Sequence, residues 1–321
     1  MKRVVVSDYT FPDLVSERAA ALAGQAEFVG LQCKTEEDLA EAARGAQVLV
    51  AQFAQVTARV LDALAPRATV IRYGVGYDNI DFAHALKTGK TVCYVPDYCA
   101  TEVADHSVAL LLANLRRLVD LNASVRRLEW RGVQIAAEVK PFEQTRVGFI
   151  GVGRIGSVAL RRLTGFGFQL CAFDPRMTEA QASELGVVRV SLDELFEASD
   201  AIMLHLPLTP TTRHIINRQS LARMKRGAII INSSRGGLID EAALGECLRE
   251  GRVAAGLDVF ASEPLAADNP LIDAPNSILT PHIAWYSKSA ISNLQNLVAE
   301  EISRALQGRP PRCPIPEAAA G

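Results

Sequence analysis

The chain has 321 residues, 49% of them hydrophobic and 22% charged, with a formal net charge of −2. That length predicts two domains with a large core, and a near-neutral charge without a basic block argues against nucleic acid or an anionic membrane as partner. No run reaches the ~18 apolar residues of a membrane helix, the apolar run after Met1 is too short for a signal peptide, and the six scattered cysteines show no metal spacing or disulfide framework; a reducing cytoplasm is the expected setting.

Strand and helix signals alternate from the start. "VVVSD" (4–8) reads as a strand, "DLVSERAAAL" (13–22) as a helix and "EFVG" (27–30) as a weak strand. "EEDLAEAARG" (36–45) is an amphipathic helix closed by glycine. "VLVAQ" (48–52), "TVIRYGVG" (69–76) and "KTVCYV" (90–95) are strands, with helices at 58–64 and 79–89 between them. A long helix is expected from Thr101 to Leu121, with Leu110, Leu111, Leu115 and Leu118 on its apolar side. A second series follows, with strands at 146–150, 168–173, 201–206, 228–232, 253–259 and 277–280. Its helices are expected at 154–164, 179–185, 192–198, 217–225 and 240–250. Ser191 and Glu194 form a capping-box pattern before the helix at 192. The tail "GRPPRCPIPEAAAG" (308–321) reads as extended or frayed. This β–α alternation implies parallel sheets with helices on both faces.

"RVGFIGVGRIGSVALRRL" sets Gly151, Gly153 and Gly156 straight after a strand and at the start of a helix. Gly151 permits the tight turn, Gly153 lets backbone N–H groups approach a pyrophosphate, and Gly156 lets helix and strand pack closely. The helix N-terminus turns its partial positive charge toward the phosphates. Asp174 ends the next strand, where a carboxylate accepts from both ribose hydroxyls and repels a 2′-phosphate, favouring NAD over NADP. Arg176 nearby softens that repulsion. No metal site is expected.

With these motifs in place, the chain resembles the NAD-dependent D-2-hydroxyacid dehydrogenase family. The resemblance rests on "RYGVGYDNID" (72–81), "VPDYCATEVADHSVALLLANLRR" (95–117), "GVGRIG" (151–156), "LHLPLTPTTRHIIN" (204–217), "INSSRGGLIDEAAL" (231–244), "GLDVFASEPL" (256–265) and "TPHIAWYS" (280–287), in family order. It implies an α/β fold of two doubly wound parallel-sheet domains. A flavodoxin-like substrate domain would be built from 1–99 and 286–321, and a Rossmann dinucleotide-binding domain from 100–285, with the active site in the cleft.

The same resemblance implies the site. Arg235 would grip the substrate carboxylate with its guanidinium fork, and the N–H groups of Val75 and Gly76 would take the other side. His282 suits proton transfer because imidazole titrates near neutral pH. Glu263 beside it would hold one tautomer and favour the charged form; a formate-oxidising branch carries glutamine there. The NAD-binding set is Gly151, Gly153, Arg154, Ile155, Gly156, Asp174, His205, Pro207 and Asp258. Asp258 is matched to a residue that bonds the nicotinamide amide, with a strand-end turn as its other reading. His205 lines the adenine side or plays a structural part. His106 reads as packed in the long helix, His84 as a surface residue and His214 as a loop residue without a partner.

The expected activity is NAD(H)-dependent interconversion of a small D-2-hydroxyacid and its 2-keto acid. The substrate is of hydroxypyruvate/glyoxylate type or phosphoglycerate type, and Arg72 is a candidate cation for the latter. Trp285 is expected at the substrate. The competing reading is a corepressor-like protein that senses NAD(H) and turns over little. Family likeness also implies a homodimer through the long helix and its surroundings.

Overall fold

The computed structural model describes residues 1–315. Two compact units emerge: one holds residues 1–99 together with the chain from Ser287 onward, the other Ala100–Tyr286. The first unit opens with β1 (Lys2–Val6), α1 (Val15–Ala23), β2 (Ala26–Gly30), α2 (Glu36–Ala43), β3 (Val48–Ala51), α3 (Ala58–Ala63), β4 (Thr69–Arg72), α4 (Phe82–Lys87) and β5 (Thr91–Tyr94). The second holds α5 (Ala100–Leu115), α6 (Leu118–Arg126), α7 (Gly132–Ile135), β6 (Arg146–Ile150), α8 (Arg154–Leu163), β7 (Gln169–Phe173), α9 (Glu179–Leu185) and β8 (Val188–Arg189). It continues through α10 (Leu192–Ala198), β9 (Ala201–Leu204), α11 (Arg218–Arg223), β10 (Ala228–Asn232), α12 (Glu241–Arg249), β11 (Val253–Leu257) and β12 (Ser277–Leu279), and α13 (Lys288–Leu306) returns to the first unit.

In the first unit five parallel strands run in the order β2-β1-β3-β4-β5. Val4–Val6 and Val48–Ala51 are buried on both faces, as continuous apolar runs should be when helices cover both sides. α13 packs along α1 and buries Ala290, Leu294, Val298, Ile302 and Leu306. That four-residue spacing is one stripe of a helix; the sequence reading has no element there. Beyond β4 the chain turns at Gly74, whose φ of +144° excludes a side chain. Behind the turn the Tyr73 hydroxyl donates to Glu17 on α1, and burial pushes that carboxyl above its ordinary range. The amide N–H groups of Val75 and Gly76, next along, donate to no group among the described residues. The tail is pinned rather than frayed as far as Ile315: the Tyr94 N–H donates to the Cys313 carbonyl, and the Ile315 N–H to that of Val92. Residues 316–321, also read as tail, lie outside the described residues.

The second unit has seven parallel strands in the order β12-β11-β10-β9-β6-β7-β8. Strand order reverses between β6 and β9, the position where such sheets bind ligands beyond their carboxyl ends. The single helix expected over 101–121 is two. Arg117 adopts a left-handed backbone (φ 52°) between α5 and α6, and its side chain is held by Asn276 (2.9 Å) and Asp120 (2.9 Å). Two anchors on one side chain break the helix where propensity alone would continue it. The capping box at α10 is half formed: Ser191 accepts from the Glu194 N–H (3.1 Å), but the Glu194 carboxylate pairs with Arg146 (2.8 Å) instead. Among the described residues no helix is long and apolar enough to cross a membrane.

Candidate active site

Glycine chemistry shapes the mouth of the sheet between β6 and β9. Gly151 has φ +89°, and a Cβ on it would lie 2.4 Å from the His205 carbonyl oxygen. A Cβ on Gly156 would lie 2.6 Å from the Gly151 carbonyl. Both glycines are therefore required by the fold itself. Gly153 is different: a Cβ there would meet nothing within 4 Å, so its bareness leaves the approach open to a ligand. It caps α8 without a side-chain hydrogen bond, so no cap side chain stands between a ligand and the first turn, which holds Arg154 and Ile155. These residues fit a dinucleotide pyrophosphate.

Asp174 is buried behind that loop. Its Oδ2 accepts the Val152 N–H (2.9 Å) and its Oδ1 the Arg176 N–H (2.9 Å). The Arg176 guanidinium stays 85% exposed at 3.9 Å. His205 is buried with both ring nitrogens unpartnered, its ring stacked on Phe149 at 5.7 Å. Burial pushes its pKa down to about 4, so the ring is neutral at physiological pH. Pro207 is exposed on the same segment.

The Glu263–His282 pair is built from two loops. Glu263 Oε1 accepts the Phe260 N–H (2.8 Å), and its Oε2 lies 2.6 Å from His282 Nδ1. Burial alone would raise the Glu263 pKa. The His282 bond and charge, the Phe260 amide and the Arg235 charge outweigh it and hold the carboxyl below its usual range. Arg235 follows β10, steadied by the Asn232 amide, which donates to its carbonyl (2.8 Å). Gly236 lets that loop press against Phe260, where a Cβ would collide with backbone at 1.8 Å. Arg235, Glu263 and His282 are thus gathered in one unit, with the Arg235 field felt at Glu263.

Asp258 has no exposed surface. Its Oδ1 accepts from the Thr280 hydroxyl (2.6 Å) and the Ile283 N–H (3.0 Å), its Oδ2 from the Ala284 N–H (2.9 Å). Of its two sequence readings, this geometry displays the strand-end turn. Trp285 is only 9% exposed, and its indole N–H donates to the His282 carbonyl (2.8 Å). It braces the turn, and the side chains open beside His282 are Ile283 and Tyr286. His106 is not simply packed: Nε2 lies 3.0 Å from the Thr280 hydroxyl. Thr280 and His106 were missed as site residues because their link spans 174 positions. His84 pairs with Asp62 at the surface (2.7 Å), and Val75 and Gly76 belong to the first unit.

The family model for the NAD-binding domain of D-isomer-specific 2-hydroxyacid dehydrogenases matches residues 108–284. A glyoxylate reductase of Korarchaeum cryptofilum is 39% identical over 259 residues, 80% of this chain and 78% of that one. A D-3-phosphoglycerate dehydrogenase of Methanocaldococcus jannaschii is 40% identical over 282 residues, 85% of this chain but 52% of that protein. The chain thus spans about half the length of its phosphoglycerate dehydrogenase relatives. Among solved structures, the D-lactate dehydrogenase of Aquifex aeolicus with NAD and lactic acid superposes with a TM-score of 0.85 at 27% identity, covering 95% of this chain and 96% of that one.

Proposed function

Because the chain belongs to the D-isomer-specific 2-hydroxyacid dehydrogenase family, we propose that it is an NAD(H)-dependent oxidoreductase interconverting a small D-2-hydroxyacid and its 2-keto acid. The observation that carries this reading is the Glu263–His282 pair at 2.6 Å, within the field of Arg235. Bound reduced nicotinamide supplies the hydride. Arg235 offers a planar fork of donors to the carboxylate and the keto oxygen. In the first unit, the open N–H groups of Val75 and Gly76 are donors we assign to substrate. Glu263 is ionised at neutral pH and occupies Nδ1 of His282. That leaves Nε2 to deliver a proton in reduction and to take one in oxidation.

An unphosphorylated substrate of glyoxylate or hydroxypyruvate type fits the first unit better than a phosphate ester. Arg72 is buried and donates to the Tyr73 carbonyl. The N–H groups of residues 52–54, at the end of the neighbouring strand β3, would make an anion seat, but the Asp8 carboxylate fills it (3.0, 2.6 and 3.1 Å). We further propose a homodimer through α6, α7 and the segment joining them, where Leu118, Val119, Val125, Leu128, Trp130 and Val133 are exposed. No disulfide links any of the six cysteines, which suits a reducing cytoplasm.

The test is a screen of glyoxylate, hydroxypyruvate, pyruvate and phosphohydroxypyruvate with NADH. Wild-type protein should reduce at least one unphosphorylated acid, and His282→Ala should lose most of that turnover. Tight NADH binding without turnover of any acid would overturn the enzyme reading in favour of a nucleotide-sensing binding protein.

A further inference from the structure

We propose that His106 is a positioning residue for His282, acting through Thr280 and Asp258. The proposal rests on the dehydrogenase reading only for its kinetic consequence.

Hydrogen counting orders this chain. A carboxylate accepts and never donates. The Thr280 hydroxyl, 2.6 Å from Asp258 Oδ1, therefore spends its single hydrogen on Asp258. The 3.0 Å contact between Thr280 Oγ1 and His106 Nε2 must then be a donation from His106, which fixes hydrogen on Nε2. The same nitrogen lies 3.6 Å from Asp258 Oδ1. Donation thus runs one way, from His106 to Thr280 to Asp258.

Asp258 passes this order to the catalytic turn. Its carboxylate holds the N–H groups of Ile283 and Ala284, and its own carbonyl accepts the His282 N–H (2.8 Å). His282 needs that grip, because its φ of 51° is a left-handed conformation that a residue with a side chain resists. Trp285 closes the turn from the other side by bonding the His282 carbonyl. Every backbone polar group of His282 is thus tied to Asp258 or to Trp285. If His106 lost its donor, Thr280 would be free to rotate and Asp258 would lose the partner that fixes Oδ1. The turn would then relax toward the right-handed backbone and swing the imidazole off Glu263.

Two variants separate positioning from bulk stability. His106→Leu removes the donor, and His106→Gln keeps an N–H near the same place. The measurements are kcat with the best keto acid, the NADH dissociation constant, and exchange of the Trp285 indole N–H by NMR. The chain has two tryptophans, and Trp130 is 91% exposed, so the slower-exchanging indole signal is Trp285. His106→Leu should lower kcat about tenfold, the scale of one lost buried hydrogen bond. It should speed Trp285 exchange by a similar factor while leaving NADH affinity within about twofold. His106→Gln should restore both to within roughly threefold. An unchanged kcat in the leucine variant, or equal losses in both variants, would overturn the proposal. If wild type turns over no keto acid, the dehydrogenase reading fails on its own. Trp285 exchange then decides the coupling: faster exchange in the leucine variant alone supports it, and no change overturns it.

Discussion

At Glu263→Gln the two amide atoms of the new side chain are not interchangeable. Glu263 Oε1 accepts the Phe260 backbone N–H at 2.8 Å, and Oε2 faces His282 Nδ1 at 2.6 Å. The Phe260 N–H can only donate, so it draws the glutamine oxygen to itself and turns the NH2 group toward His282. His282 must then accept at Nδ1 and carry its hydrogen on Nε2. That is the wrong tautomer for taking a proton from a hydroxyacid, and the amide gives an imidazolium no support. Flipping the amide back would set two donors against each other at Phe260, a penalty of about 1–3 kcal/mol, or roughly 5- to 150-fold in population. Glu263→Ala leaves His282 free to choose its tautomer with water. The near-isosteric variant should therefore be the worse enzyme, with kcat roughly tenfold or more below that of the alanine variant. Both would fall below wild type by about 10²–10⁴-fold, the usual weight of a positioned acid–base group. The assay is steady-state NAD+ reduction at saturating hydroxyacid, with thermal melts to confirm folding. A glutamine variant equal to or faster than the alanine variant would refute the tautomer argument.

Further outcomes follow from the other parts of the structure. His205, pushed down to about 4 from an ordinary 6.5, binds its proton more readily in the unfolded chain. Stability from keeping it neutral is complete above pH 6.5 and is lost as pH falls toward 4, by roughly 3 kcal/mol. Urea denaturation of wild type and His205→Leu across that window should show wild type losing ground; a pH-independent difference would contradict the burial argument. Asp174→Ala should narrow the NADH over NADPH preference in kcat/KM by about tenfold or more, the weight of a charge-assisted bond. A wild type that already prefers NADPH would contradict the ribose assignment. Replacing Leu128 and Trp130 together with serine should shift sedimentation from dimer to monomer, and an unchanged mass would rule out the α6–α7 face.

What the sequence made legible were the features written locally. The glycine loop, the strand–helix alternation and the helix caps each sit within a few residues, and strands β6 and β10 fall where their apolar runs begin and end. The α13 stripe is equally local, since Ala290, Leu294, Val298, Ile302 and Leu306 repeat every fourth residue. Other features could not be read along the chain. The break at Arg117 depends on Asn276, and the Glu194 carboxylate leaves its cap for Arg146. The family likeness of "TPHIAWYS" points to Trp285 at the substrate; that its N–H donates to the His282 carbonyl is visible only in the turn's geometry.

The bonds at Asp174 couple two quantities that enzyme redesign usually treats as separate. The Asp174 oxygens that we propose for the ribose hydroxyls also hold the Val152 and Arg176 amides, so the group proposed to read the nucleotide also clamps the glycine loop. A substitution made to admit a 2′-phosphate would loosen the pyrophosphate cradle in the same stroke. Selectivity and affinity cannot then drift independently. A route toward NADPH would have to rebuild an acceptor for Val152 before the exposed Arg176 could be put to use.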